Sequence, residues 1–239
     1  MTVETLVTQL RAAYGDALRA VVLYGSAVAG EHIKAQSDYN VLVIVESLPL
    51  DRLEAASAAM RAWADDGNPA PLTFTTHEWR TSSDVFPMEY ADILDRHQLL
   101  HGDAAVMTEV SVAPADLRMQ VEREALSKVF RLRQQTLLAG TDNKRQLALL
   151  ADSLSALMIV FRGVLRLYGV TPPRNYEELV RDVAARTGID ATPYRDVIRH
   201  VRGEQTIPKD GADAVLAGYL RGMEAVAAHV DGLTLSRTD

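Results

Sequence analysis

The chain has 239 residues, 48% hydrophobic and 24% charged, an ordinary folded composition that excludes global disorder and low complexity. It contains no cysteine, which excludes disulfides, thiolate zinc sites and cysteine nucleophiles. The net charge of −7 is uneven: residues 1–114 hold 7 Lys/Arg against 16 Asp/Glu, a balance of −9, and residues 115–239 hold 18 against 16, a balance of +2.

That asymmetry points to two domains. It also argues against a broad nucleic-acid surface on the first half, where phosphates would be repelled. Residues 1–15 mix Glu4, Gln9 and Arg11 into the apolar positions, unlike a signal-peptide core. No unbroken apolar run approaches the roughly 18 residues of a membrane span. The expectation is a soluble, cytoplasmic protein with no membrane partner.

In chain order, Leu6, Leu10 and Ala13 give a short amphipathic helix with Gly15 as its stop. Residues 20–24 are a compact apolar run ending in Gly25-Ser26. Residues 39–45 form another, apolar on both faces, as a central strand covered on both sides would be. Residues 50–64 read as a helix, with Leu53, Ala56, Met60 and Trp63 at steps of three and four. Pro69 and Pro71 introduce residues 72–76, whose Thr and Phe content suits a third strand.

After Pro114 the pattern becomes helical. Leu117, Val121, Ala125, Val129 and Leu132 follow one stripe until Gly140. Asp142 is a good N-cap for the next helix, in which Leu147, Leu150, Leu154, Leu157, Phe161, Val164 and Tyr168 recur at helical spacing before Gly169 and Pro172. Asn175 with Glu178 opens a third helix in the manner of a capping box. Thr192-Pro193 opens a fourth, and Ala212, Val215, Tyr219, Met223, Val226 and Val230 mark a fifth. The expected architecture is α+β: a small mixed-sheet domain over residues 1–112, then an all-α helical bundle over 113–239.

Residues 20–46 carry the chemistry. A strand delivers Gly25-Ser26 to its carboxyl end, where glycine lets the backbone approach a ligand. Free N–H groups and the Ser26 hydroxyl beyond it would hold a phosphate. Asp38 and Asn40 stand two apart at the entrance of the next strand, a spacing that puts both side chains on one face. If the two strands are neighbours, these oxygen ligands face the phosphate cradle, as metal-assisted phosphoryl transfer requires.

The order strand, Gly25-Ser26, about a dozen residues, then Asp38-x-Asn40 before an apolar strand resembles the signature of the nucleotidyltransferase superfamily that includes polymerase beta and kanamycin nucleotidyltransferase. The likeness covers residues 1–110, and the second half is similar to the bundle that follows this domain in antibiotic nucleotidyltransferases. The run from Phe86-Pro87-Met88-Glu89-Tyr90 to Leu99-Leu100-His101-Gly102 looks like the segment that closes the first domain in related bacterial proteins of unknown role. The resemblance implies Mg²⁺ as cofactor and ATP as substrate, with Gly25 and Ser26 holding phosphate. Asp38 and Asn40 are then the catalytic, metal-binding pair. It implies transfer of a nucleoside monophosphate to a hydroxyl of a small molecule or protein, with release of pyrophosphate. Nucleic acid is not expected as partner, and a homodimer is an open state.

The sequence departs from that pattern. The family holds two Mg²⁺ ions with an Asp-x-Asp pair and a third carboxylate on a later strand. Here the second acid is Asn40, and the third strand offers Thr73 and Thr75 where an acid is expected. An Asn oxygen can coordinate magnesium, so the site is weakened rather than abolished. The alternative function is therefore a catalytically impaired protein that binds nucleotide or a partner, as in toxin–antitoxin pairs.

Other residues carry two readings each. Glu89 is either a replacement acid or a carboxylate paired with arginine. His97 and His101 would share a helix face as metal ligands with Asp103, or be surface or capping residues. His77-Glu78 either flanks the cleft or is loop. Arg131, Arg133, Lys144 and Arg145 either meet phosphates or lie in solvent, and Arg162 and Arg166 form a basic strip or pair with acids. Trp63, Phe161 and Tyr168 are read as core.

Overall fold

The computed structural model describes residues 1–25, 28 and 39–234, and the chain divides into two compact units, Met1–Ala113 and Pro114–Asp239.

The first unit is built on a four-stranded mixed sheet. Strands β1 (Leu18–Tyr24) and β2 (Asn40–Val45) pair antiparallel, and β3 (Leu72–Thr75) lies parallel to β2. A fourth strand, β4 (His97–Gly102), runs antiparallel along the other side of β1, giving the order β3-β2-β1-β4. β2 is central, and its five residues from Val41 to Val45 are all buried, as its two-faced apolar run predicts.

Both faces of the sheet are covered. Val21, Leu23, Val41, Val43 and Val45 pack against helix α1 (Val3–Tyr14) and helix α2 (Leu50–Asp65), with Leu6, Leu10 and Trp63 fully buried among them. The Arg52 guanidinium ties the two helices by donating to the Tyr14 carbonyl at 2.9 Å. The alternate residues Ala20, Val22, Leu42 and Ile44 face the other way. They meet three short helices, α3 (Thr76–Thr81), α4 (Pro87–Asp95) and α5 (Ala105–Thr108). Each fully buried aliphatic side chain contributes roughly 1.5–3 kcal/mol. Trp79 and Tyr90 stack there at 4.4 Å, with the indole N–H donating to the Val106 carbonyl at 2.8 Å.

The second unit is helical among its described residues: α6 (Pro114–Ala139), α7 (Asn143–Leu167), α8 (Tyr176–Thr187), α9 (Thr192–Val201) and α10 (Ala212–Asp231). Asp142 caps α7 as expected, accepting from Lys144 N at 3.0 Å and Arg145 N at 3.2 Å, and Asn175 caps α8. By length and composition α7 could cross a bilayer; here α6, α8, α9 and α10 all pack on it. Its stripe of Leu150, Leu154, Leu157, Phe161 and Val164 is buried. Tyr168, expected in that core, is 37% exposed. It lies just past the last helical turn, where its hydroxyl bonds His229 Nε2 and Arg186 stacks on its ring.

Glycine closes the packing of α9 on α10. A methyl on Gly218 would stand 2.6 Å from Pro193 Cγ, and one on Gly222 would stand 2.6 Å from the Tyr194 hydroxyl. Tyr194 lies in that notch and donates to the Tyr219 carbonyl at 2.9 Å. Gln146, 1% exposed, ties the α6–α7 turn to α10 by donating to the Gly140 carbonyl at 2.8 Å and Asp213 Oδ1 at 3.1 Å.

Candidate functional site

The strand ends determine where the proposed chemistry can gather. In the β1–β2 register, Tyr24 is the partner of Asn40, the first residue of β2. Gly25, one step beyond, has φ of 79°, a left-handed conformation that glycine adopts without steric cost. Its N–H donates to the Arg96 carbonyl at 3.0 Å. A Cβ at this position would lie 3.4 Å from Asn40 Nδ2. The end of β1 thus turns out of the sheet with a bare Cα opposite the Asn40 amide. Ser26 and Asp38 lie outside the described residues.

Strand alternation puts Asn40 on the same face as Leu42 and Ile44, the side covered by α3, α4 and α5. Tyr24 is on that face too. Its phenol is held above the usual tyrosine range, first by burial and then by the negative charge of Asp92 on α4. Asp92 therefore brings a carboxylate to this corner of the sheet. Sequence reasoning weighed Glu89 on the same helix and missed Asp92, because nothing local to Asp92 signals which way α4 docks.

His97, the register partner of Tyr24, begins β4. Its Nδ1 lies 3.2 Å from the Ile93 carbonyl and 3.1 Å from the Leu94 carbonyl, within hydrogen-bonding reach of both. The ring caps the end of α4. The expected shared helix face for His97 and His101 is corrected: both are on β4, where a spacing of four is about 13 Å, too far to ligate one ion. Glu78 is not a loop residue at a cleft either. It closes a capping box, accepting from Thr75 N at 2.7 Å while Thr75 Oγ1 accepts from Glu78 N at 3.1 Å.

The third strand carries no carboxylate. The parallel register pairs Val43 with Thr73 and Val45 with Thr75, which turns both threonines toward the α1–α2 face, away from Asn40. On the Asn40 side β3 offers Leu72 and Phe74, and the Phe74 ring packs against Trp79 and Tyr90 at 5.8 and 5.9 Å. Among the described residues no three His, Asp or Glu side chains gather as a metal cluster. Among the described residues the strand mouth offers one amide oxygen, from Asn40, a donor that can coordinate Mg²⁺ but does not balance the charge of two ions.

Three of the cations of the second unit that the sequence offered for phosphate have partners close by. Arg133 donates twice to Glu224 Oε1, at 2.7 and 3.0 Å, Arg145 pairs with Asp142 at 3.4 Å, and Arg162 lies over the Tyr176 ring at 5.9 Å.

No family model matches the sequence, and no curated protein matches it. Among solved structures, spectinomycin adenyltransferase AAD(9) from Enterococcus faecialis, crystallised with ATP and spectinomycin, is similar in fold at a TM-score of 0.60 and 12% identity. The match covers 96% of this chain and 98% of that one. The expected α+β architecture, a small mixed sheet followed by a helical bundle, is the fold of this chain, and that adenyltransferase shares it.

Proposed function

We propose that this protein binds Mg-ATP at the corner formed by Gly25 and Asn40 and transfers its nucleoside monophosphate to a hydroxyl of a small molecule. The acceptor oxygen bonds to the α-phosphorus, the bond from that phosphorus to the bridging oxygen breaks, and pyrophosphate leaves. The hydroxyl proton passes to a carboxylate or to water. The observation that carries this reading is the positive-φ Gly25 opposed to Asn40 across the β1–β2 register, in a fold shared with an adenyltransferase solved with ATP and spectinomycin.

The roles follow from chemistry. The Gly25 backbone and Ser26 hydroxyl hold phosphate. Asp38 and, more weakly, Asn40 hold Mg²⁺, which when bound offsets the charge of the triphosphate. Asp92 is the nearby acid that offers to take up the acceptor proton. The −9 balance of the first half disfavours a nucleic-acid acceptor.

Calorimetry with ATP, with and without Mg²⁺, tests binding. Asp38→Ala is expected to weaken Mg-dependent binding by roughly tenfold or more, and Asn40→Asp to strengthen it. Unchanged affinity in both variants overturns the site. Transfer is read by incubating the protein with ATP labelled in its α-phosphate and a panel of hydroxyl-bearing small molecules. A second reading, a nucleotide-binding protein without turnover, is favoured by the acid-free β3. It predicts Mg-dependent ATP binding with no label transferred to any acceptor.

A further inference from the structure

Helices α6 and α7 are joined by a tight turn over residues 140–142 and pack back along each other. Between them lies a groove of about 460 Å³, lined wholly by residues of the second unit. That volume is in the range of small-molecule sites, which are mostly apolar, carry few polar groups and occur between the helices of bundles. The floor is apolar, with Leu132 and Leu157 buried and Leu149 beside them. Ala148 and Ala156 stand one turn to either side of Asp152 on α7, and their small side chains hollow that wall.

The charges around the groove do not all close on one another. Lys128 pairs with Glu124 at 3.0 Å and Arg145 with Asp142 at 3.4 Å. Arg131 on α6 and Asp152 on α7 are left, and neither has an ion-pair partner among the described residues. Measured from the turn, Arg131 is about 12 Å along α6 from Ala139, and Asp152 is about 13 Å along α7 from Asn143. The two charges therefore stand at one height on opposite walls of the groove without joining. An open cation and an open anion above an apolar floor match a ligand that has both charges and an apolar body.

We infer that this groove binds a free amino acid with a large apolar side chain. The Arg131 guanidinium holds its α-carboxylate through paired N–H donors. The Asp152 carboxylate accepts from its α-ammonium, and the side chain lies on Leu132, Leu149 and Leu157. Lys128, Arg131 and Arg145 around one open acid disfavour a polycation. The inference draws on no residue of the proposed nucleotide site, so either can fail alone.

Titration of the full chain with L-tryptophan, L-phenylalanine and L-leucine, followed by ligand-observed NMR, is expected to show saturable binding. Tryptophan should have a dissociation constant of roughly 1 mM or below. Tryptamine, which lacks the carboxylate, and indole-3-propionate, which lacks the ammonium, should each bind roughly tenfold more weakly. Arg131→Gln should weaken tryptophan by roughly tenfold and leave tryptamine unchanged. Asp152→Asn should weaken tryptophan to a like degree and leave indole-3-propionate unchanged. Both changes are on exposed side chains, and circular dichroism melts check that the fold is kept. Ala156→Leu, which fills the groove, should abolish binding. No saturable binding of any of the three amino acids up to roughly 10 mM overturns the proposal. So does tryptophan binding that Arg131→Gln and Asp152→Asn leave unchanged, or tryptamine bound as tightly as tryptophan.

Discussion

Glycine is forced on both units by a close neighbour, but the neighbours differ in kind. In the sheet unit a Cβ on Gly102 would fall 1.9 Å from the Arg19 carbonyl oxygen and 2.8 Å from Ala20 Cα, and the residue has φ of 99°. The obstacle is the backbone of β1, which is fixed by its ladder to β2. In the helical unit a Cβ on Gly222 would meet the ring of Tyr194, a side chain that can be shortened. Backbone crowding leaves no way to relax short of losing the strand register, whereas ring crowding is relieved by one compensating substitution. Gly25 is a third case. Its hypothetical Cβ has 3.4 Å to the nearest atom, so conformation rather than packing holds it as glycine.

The contrast can be broken at four points. Gly102→Ala should destabilise the sheet unit most, on the order of 3–5 kcal/mol, read as a lowered urea midpoint. No second-site change at a single side chain should restore it. Gly222→Ala should cost roughly 1–3 kcal/mol, and adding Tyr194→Leu should recover part of that loss. Additive costs in that double-mutant cycle would mean that the ring is not the obstacle.

The third point is alkaline pH. Burial pushes the Tyr90 phenol up to about 12, against about 10 in the unfolded chain. The folded state then keeps a proton that the unfolded state loses. The stability this proton confers is complete below about pH 10 and falls as pH rises toward 12, by about 2 kcal/mol. Tyr90→Phe should flatten that part of the stability curve. Tyr194 and Tyr219 are driven higher still by deeper burial, so the loss of stability in the helical unit should begin over the same range and continue beyond the pH at which that of Tyr90 levels off. Last, Gly25→Ala should cost only about 1–2 kcal/mol for its left-handed backbone, yet abolish ATP binding in calorimetry. A variant that still binds ATP would show that the bare Cα has no part in the site.

What could be read from the sequence depended on how local the signal was. β1 and β2 are compact apolar runs because both their faces are buried, and α7 repeats its apolar residues over seven positions; each is visible in a short window. β4 is different. The run His97-Gln98-Leu99-Leu100-His101-Gly102 is at most half-buried, an edge strand without clear alternation. α3 and α4 are short and depend on Thr75 and Pro87 at their starts. At the site, Gly25 and Asn40 were legible because glycine before a turn and a polar residue opening an apolar strand carry their own meaning. Asp92 was not, because α4 brings it to the corner by tertiary packing, and the meeting of Tyr24 with His97 needed the β1–β4 register. The orientation of Thr73 and Thr75 needed the β2–β3 register, which no spacing within one strand reveals.

The outer strand β3 is only four residues long, and Pro69 and Pro71 stand immediately before it. A free sheet margin is a template on which other chains add strands, and proline denies it the amide hydrogens that would extend the ladder. The two prolines thus keep this margin too short to seed fibrils. Replacing Pro71 by valine would lengthen it past Leu72, already partly bare to solvent, and turn a soluble rim into an aggregation nucleus.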